Sequence, residues 1–134
     1  MTITDALLEL VSWYPGFEDV RFGSEAGCPG LIPQEGEATE SVRRSVTGRV
    51  RRVGLYPFAV AVGAGGLSPD RRAGVKEALE GLGTYLERLE ALPDIDGGKL
   101  IDLARVKAAY MDGVAGDMTE RWVLQLAARY ETYY

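Results

Sequence analysis

SPDRRAGVKEALEGLGTYLERLEALP, residues 68–93, is the stretch whose reading decides the fold. Ser68 stands where an N-cap belongs and Pro69 at the first helical position, where a proline forfeits no needed hydrogen bond and its backbone is already helical. Val75, Leu79, Leu82, Leu86 and Leu89 step by four, three, four and three, so they line one face of a helix over Pro69 to Ala91. Arg71, Arg72, Lys76, Glu80, Glu87 and Glu90 fall largely off that face, and Leu92-Pro93 closes the helix. Gly74, Gly81 and Gly83 sit inside it although glycine is a weak helix former. A leucine stripe of this kind is a core face, and a core face needs a sheet or a second helix to cover it.

Both flanks supply strands. Downstream, a turn over Asp94 to Gly98 leads into Leu100 to Tyr110, where Ala104, Val106, Ala108 and Tyr110 alternate and Ile101 and Leu103 blur the start. After a turn at Gly113 to Asp117, Trp122, Leu124, Leu126, Ala128 and Tyr130 face one way while Arg121, Gln125, Arg129 and Glu131 face the other. The two runs form a long hairpin with one buried face. Upstream, Phe58, Val60 and Val62 share a face of a strand that Gly63 to Gly66 ends, and Pro57 marks a strand start, a bulge or an edge. Val42, Arg44 and Val46 alternate before Gly48, and Val50 and Val53 continue the return run.

Toward the N-terminus, Thr2 and Asp5 resemble a capping box ahead of Ile3, Leu7, Leu10 and Val11, predicting a helix from Ile3 to Trp13 that Tyr14-Pro15-Gly16 stops. A short strand follows at Phe17 to Phe22. Residues 23–40 carry glycines, prolines and glutamates without an apolar period and read as a long loop with a brief strand at Leu31 and Ile32. A loop of that length either has a job, such as an arm that orders against a neighbour, or is mobile. The expected fold is a single α+β domain over residues 1–134: an antiparallel sheet of four to six strands packed on two helices, in the order α-β-β-β-α-β-β. No internal repeat is visible in the sequence.

A chain of 134 residues suffices for one core, in which about two thirds of the unfolded surface is buried. Apolar residues at 46% and charged residues at 26% are those of an ordinary globular domain. The net charge of -5 argues against a main role in gripping nucleic acid. The longest apolar stretch, around Leu55 to Leu67, is too short and too interrupted to span a bilayer, and Asp5 and Glu9 spoil a signal peptide, so no membrane partner is expected. Cys28 is the only cysteine and histidine is absent, which removes disulfides, cysteine metal clusters and every histidine-dependent triad. The expectation is a protein that is not an enzyme and holds no cofactor and no metal.

The motifs agree. Gly63-Ala64-Gly65-Gly66 before a helix is of the phosphate-loop kind, yet it lacks the lysine and the hydroxyl residue that grip phosphate and magnesium. Asp94, Asp96 and Asp102 do not reach calcium-loop spacing, because Gly98 stands where a third acid belongs. Pairs such as Glu18 with Asp19 or Glu87 with Glu90 read as solvated charge.

Five arginines within ten residues, Arg43, Arg44, Arg49, Arg51 and Arg52, fall on the first hairpin beside the acidic loop. Three readings stand together: a basic ribbon that follows a DNA backbone or lines a channel, a surface for the acidic segment of a neighbouring subunit, and charges that guard a sheet edge. Tyr133 and Tyr134, at an aromatic C-terminal end that would otherwise fray, are candidates for docking on a partner. With Leu31 in the loop, these residues make up the candidate protein interface.

Gly30-Leu31-Ile32-Pro33, Val46-Thr47-Gly48, Tyr56-Pro57-Phe58-Ala59, Asp70-Arg71-Arg72 opening a helix that ends at Leu92-Pro93, and the hairpin around Met111 to Thr119 together resemble the minor capsid and tail-terminator-like (head-tail connector) proteins of tailed bacteriophages and prophages. The resemblance implies a small α+β subunit without enzymatic activity that forms a homo-oligomeric ring, often a hexamer, at the tail end or neck. It implies tail-tube or head-completion proteins as partners, DNA only as cargo passing a channel, and a place in the virion after assembly in the bacterial cytoplasm. The family supplies no contact residues to carry over. The alternative is a small nucleic-acid-binding or regulatory module using the arginine hairpin.

Overall fold

A computed structural model describes residues 1–23, 29–65, 68–114 and 118–133. Helix α1 (Ile3–Ser12) is followed by β1 (Arg21–Phe22), β2 (Gly30–Pro33), β3 (Ala38–Arg44) and β4 (Val50–Ala64), then by α2 (Pro69–Glu87), β5 (Asp94–Ile95), β6 (Gly98–Arg105), β7 (Tyr110–Val114) and β8 (Glu120–Tyr133). The caps form as their residues demand: the Thr2 hydroxyl accepts from the Asp5 amide at 3.1 Å and the Ser68 hydroxyl from the Arg71 amide at 3.4 Å. α2 stops four residues before the expected Ala91. The Arg88 and Leu89 amides bond to the carbonyls of Tyr85 and Leu86, a tightened last turn from which the chain turns back toward β5.

β4 and β8 run antiparallel through the centre, paired from Arg51 with Tyr133 to Ala64 with Glu120. The far edge of β4 is shared: β3 takes residues 50–55 and β2 takes residues 58–61. Pro57 sits at the break between them, where the Gln34 amide donates to its carbonyl at 3.0 Å. The N–H and C=O of a strand residue point to the same edge, so the donor that proline lacks faces the gap and no ladder bond is forfeited. The far edge of β8 is shared in the same way by β7 and β6.

The α+β class and the two helices are as expected, but among the described residues the sheet has eight strands rather than four to six, and it is mixed because β1 and β2 are parallel. The brief strand expected at Leu31 and Ile32 is present as β2, and the loop reading of residues 23–40 is corrected at its end, where β3 already begins at Ala38; both strands are held by pairing to β4 rather than by an apolar period of their own. Residues 24–28, including Cys28, lie outside the described residues, as do Gly66 and residues 115–117 of the predicted turn. Phe17 is buried within a turn, so the strand expected from Phe17 begins only at Arg21. The run from Leu100 to Tyr110 divides into β6 and β7. Its blurred start is a β-bulge between Leu100 and Asp102, which lets Leu100 and Leu103 both reach the core.

Both helices cover one face of the sheet. Ala6, Leu7, Leu10 and Val11 of α1 and Leu79, Leu82 and Leu86 of α2 meet Phe58, Val60, Leu124, Leu126 and Ala128, the strand positions expected to face inward. Two helix glycines gain a reason here. A Cβ on Gly83 would stand 2.6 Å from Arg105 Cδ, and one on Gly81 would stand 2.5 Å from the Tyr14 hydroxyl. The bareness of Gly83 lets Arg105 cross α2 to Glu80 at 2.7 Å and to Glu87, and that of Gly81 makes room for Tyr14.

The topology repeats although the sequence does not. A helix and four strands occur twice; in each half the third strand pairs the N-terminal part of the fourth, the second pairs its C-terminal part, and the first pairs the second, although β1 runs parallel to β2 and β5 antiparallel to β6. The halves meet along β4 and β8, giving an approximate two-fold relation normal to the sheet. The order across one end is β3-β4-β8-β6-β5 and across the other β7-β8-β4-β2-β1. Strand pairing needs alternation rather than identity, so such a relation leaves little mark on the sequence.

Candidate functional site

The arginine-rich hairpin forms as expected, with β3 paired to β4 from Arg44 opposite Val50 to Ala38 opposite Leu55. Its five arginines do not make one patch. Pairing puts Arg43 and Arg51 on the face away from the helices, and Arg44 and Arg52 on the other face. Arg51 is committed to Glu131 at 2.5 Å, the Arg52 guanidinium donates to the Thr39 hydroxyl at 3.0 Å, and Arg49 lies 5.6 Å from the centre of the Tyr133 ring. Arg43 and Arg44 make no side-chain bond or ion pair to another described residue. All seven residues of β3 are exposed, and the strand has β4 alone as a neighbour.

Glu131 was not singled out by its sequence context, yet it anchors this corner. It lies on the face away from the helices with only 3% of its surface exposed, gripped by Arg51, by Lys99 at 3.6 Å and by the Tyr133 hydroxyl. The hydrogen bond from Tyr133 and then the one from Arg51 hold its carboxyl below the ordinary value of 4.5. A carboxyl depressed on folding adds stability that is complete above its ordinary value and fades as pH falls through the depressed one. Between about pH 6 and about pH 3, urea midpoints of the wild type are therefore expected to fall more than those of Glu131→Gln. Parallel declines would show that the carboxylate is not coupled to folding.

The other expected interface residues divide. Leu31 is corrected: it is fully buried in the core, because β2 turns it beneath the helices, and it has no surface to offer a partner. Tyr133 is half exposed and tied to Glu131, so it shapes the corner rather than standing free. Tyr134 lies outside the described residues. Trp13 and Phe22, the last residues of the expected first helix and first strand, are exposed near the N-terminal end.

The remaining chemistry is dispersed. Asp94, Asp96 and Asp102 do not converge, since Asp102 pairs with Arg129 and Asp96 takes the N-terminal amine at 2.5 Å. Among the described residues no group of three acids, cysteines or histidines is placed to hold a metal ion, and no helix is long and apolar enough to cross a membrane. Gly63 and Ala64 belong to β4 rather than to a phosphate-type loop. Glu80 serves structure, accepting from the Ala109 amide at 2.6 Å as well as from Arg105.

No protein-family model and no curated protein matches the chain. Among solved structures, it superposes with a TM-score of 0.58 on a chain described as "Virion of native gene transfer agent (GTA) particle", at 16% identity over 97% of this chain and 95% of that one. The two share a fold. Coverage of nearly all of both chains means that the likeness takes in both helix-and-four-strand halves. The geometry of the corner is an exposed basic edge strand, β3, with the buried Glu131 and its Arg51 partner behind it.

Proposed function

We propose that this protein is a non-enzymatic structural subunit of a phage-like particle, building a homo-oligomeric ring at the tail end or neck. The observation that carries this reading is the end-to-end fold likeness to a chain of a gene transfer agent virion. The lack of histidine and the unpaired β3 edge support it, because the first removes common catalytic chemistry and the second suits subunit contact. In this role its partners are copies of itself and tail-tube or head-completion proteins, and DNA is cargo that passes the ring. Three of the five hairpin arginines are engaged within the chain, which weakens the rival reading of a nucleic-acid-binding module.

The test is to tag the chain in a host carrying its own particle genes, purify the particles on a density gradient and locate the tag by immunogold electron microscopy. The tag is expected to band with particles and to label a single site at the head-tail junction or tail tip. Particles that assemble fully, carry DNA and contain none of the tagged chain would overturn the proposal.

A further inference from the structure

The two edges at one end of the sheet carry opposite charge. Hydrogen-bonded partners run in one row across five strands, from Val42 through Arg52, Thr132 and Gly98 to Ile95, and the next row runs from Ser41 through Val53, Glu131 and Lys99 to Asp94. The β3 end of these rows bears Arg43 and Arg44, without an ion-pair partner among the described residues, beside exposed Val42. At the β5 end stand Asp94 and Asp96, with Glu90 four residues earlier in the chain and Asp5 in α1, whose N-terminus lies against β5 through the bond from the Asp96 amide to the Met1 carbonyl. Of these acids, Asp96 is occupied by the N-terminal amine, while Asp5, Glu90 and Asp94 have no ion-pair partner among the described residues.

We propose that the β3 edge of one copy docks against the β5 corner of the next, head to tail, with Arg43 and Arg44 meeting Glu90 and Asp94 of the neighbouring copy. This rests on the ring reading and assigns the contact that closes the ring. The occupant is a second copy for two reasons. The complementary acids lie at the far end of the same rows, so repeating one step along the sheet brings the poles together. A two-fold contact between β3 edges would leave the acidic β5 corner without a complement, whereas a head-to-tail contact uses both poles and generates rings. Glu131 prepares the edge: by neutralising Arg51, which stands directly opposite Arg43, it relieves the repulsion that would drive β3 away from β4.

The test uses full-length chains carrying Arg43→Glu with Arg44→Glu, or Glu90→Arg with Asp94→Arg, and follows self-association by sedimentation velocity and incorporation into purified particles. Each double variant is expected to lose at least about tenfold in association, and mixing the two is expected to recover most of it. A Ser41→Cys, Asp94→Cys variant in a Cys28→Ser background, whose two positions end the same row, should form a disulfide ladder of copies within particles. Association or incorporation untouched by both reversals, or a ladder joining β3 to β7 in a parallel cysteine pair, would overturn the docking assignment while leaving the ring reading intact. A chain that is absent from particles and monomeric at every concentration would remove both. Circular dichroism and melting curves matching the wild type confirm that each variant is folded.

Discussion

Gly98→Ala is expected to destabilise the fold by about 3 kcal/mol, lowering the melting temperature by about 10 °C. Gly98 opens β6 and pairs with Thr132 of β8. A Cβ there would lie 2.8 Å from the Glu131 carbonyl carbon and 2.9 Å from the Thr132 Cα. Those atoms are backbone of a central strand held on both sides, so no side-chain rotation relieves the contact. Either β6 lifts from β8 or the Asp96-Gly97 turn distorts, and both disturb the Lys99 and Arg51 grip on Glu131. Chemical unfolding of the purified variant measures the loss. A change of less than about 1 kcal/mol would show that the β5–β6 hairpin is looser than its pairing implies.

Phe58→Ala is expected to cost about 3 to 5 kcal/mol, because it opens a cavity beneath both helices. Phe58 is the largest fully buried side chain among the described residues and stands beside the break at Pro57, paired with Leu126 of β8 and Pro33 of β2. Val46→Ala is the useful contrast: Val46 is fully exposed at 107%, and its truncation is expected to change stability by no more than about 0.5 kcal/mol. Urea unfolding of the two variants side by side gives the comparison. Similar losses in both would mean that the hairpin tip packs against something in the isolated chain.

What was legible in the sequence followed from periodicity. The leucine stripe of α2, the alternation from Trp122 to Tyr130 and the inward set Phe58, Val60 and Val62 all face the core as read. β2 was legible only as a brief strand at Leu31 and Ile32, and β3 only from Val42 onward, because β3 is exposed along its whole length and Leu31 is apolar in a segment full of glycine and proline. Pairing to a long neighbour made them strands, and pairing is a non-local property. The candidate site was half legible. Clustering of arginines marked the hairpin, but only the register shows that Arg51 answers to Glu131, 80 residues away, and that Arg43 and Arg44 remain unspent. The glycines within α2 looked like a weakness in the helix, and their purpose appears only when Arg105 and Tyr14 arrive from elsewhere in the chain.

The repeated half brings a consequence for how the protein comes into being. Every rung of its central ladder joins residues from opposite sides of the α2 linker, so a nascent chain that has emerged only as far as Gly65 holds a 15-residue strand with one long flank bare. Until the last strand leaves the ribosome, that flank is adhesive, and the natural stand-in for the missing half is the same half of another newborn chain. Exchange of halves between copies is thus the misassembly this architecture invites, and the late arrival of β8 makes translation itself the step that decides between a closed subunit and a tangled pair.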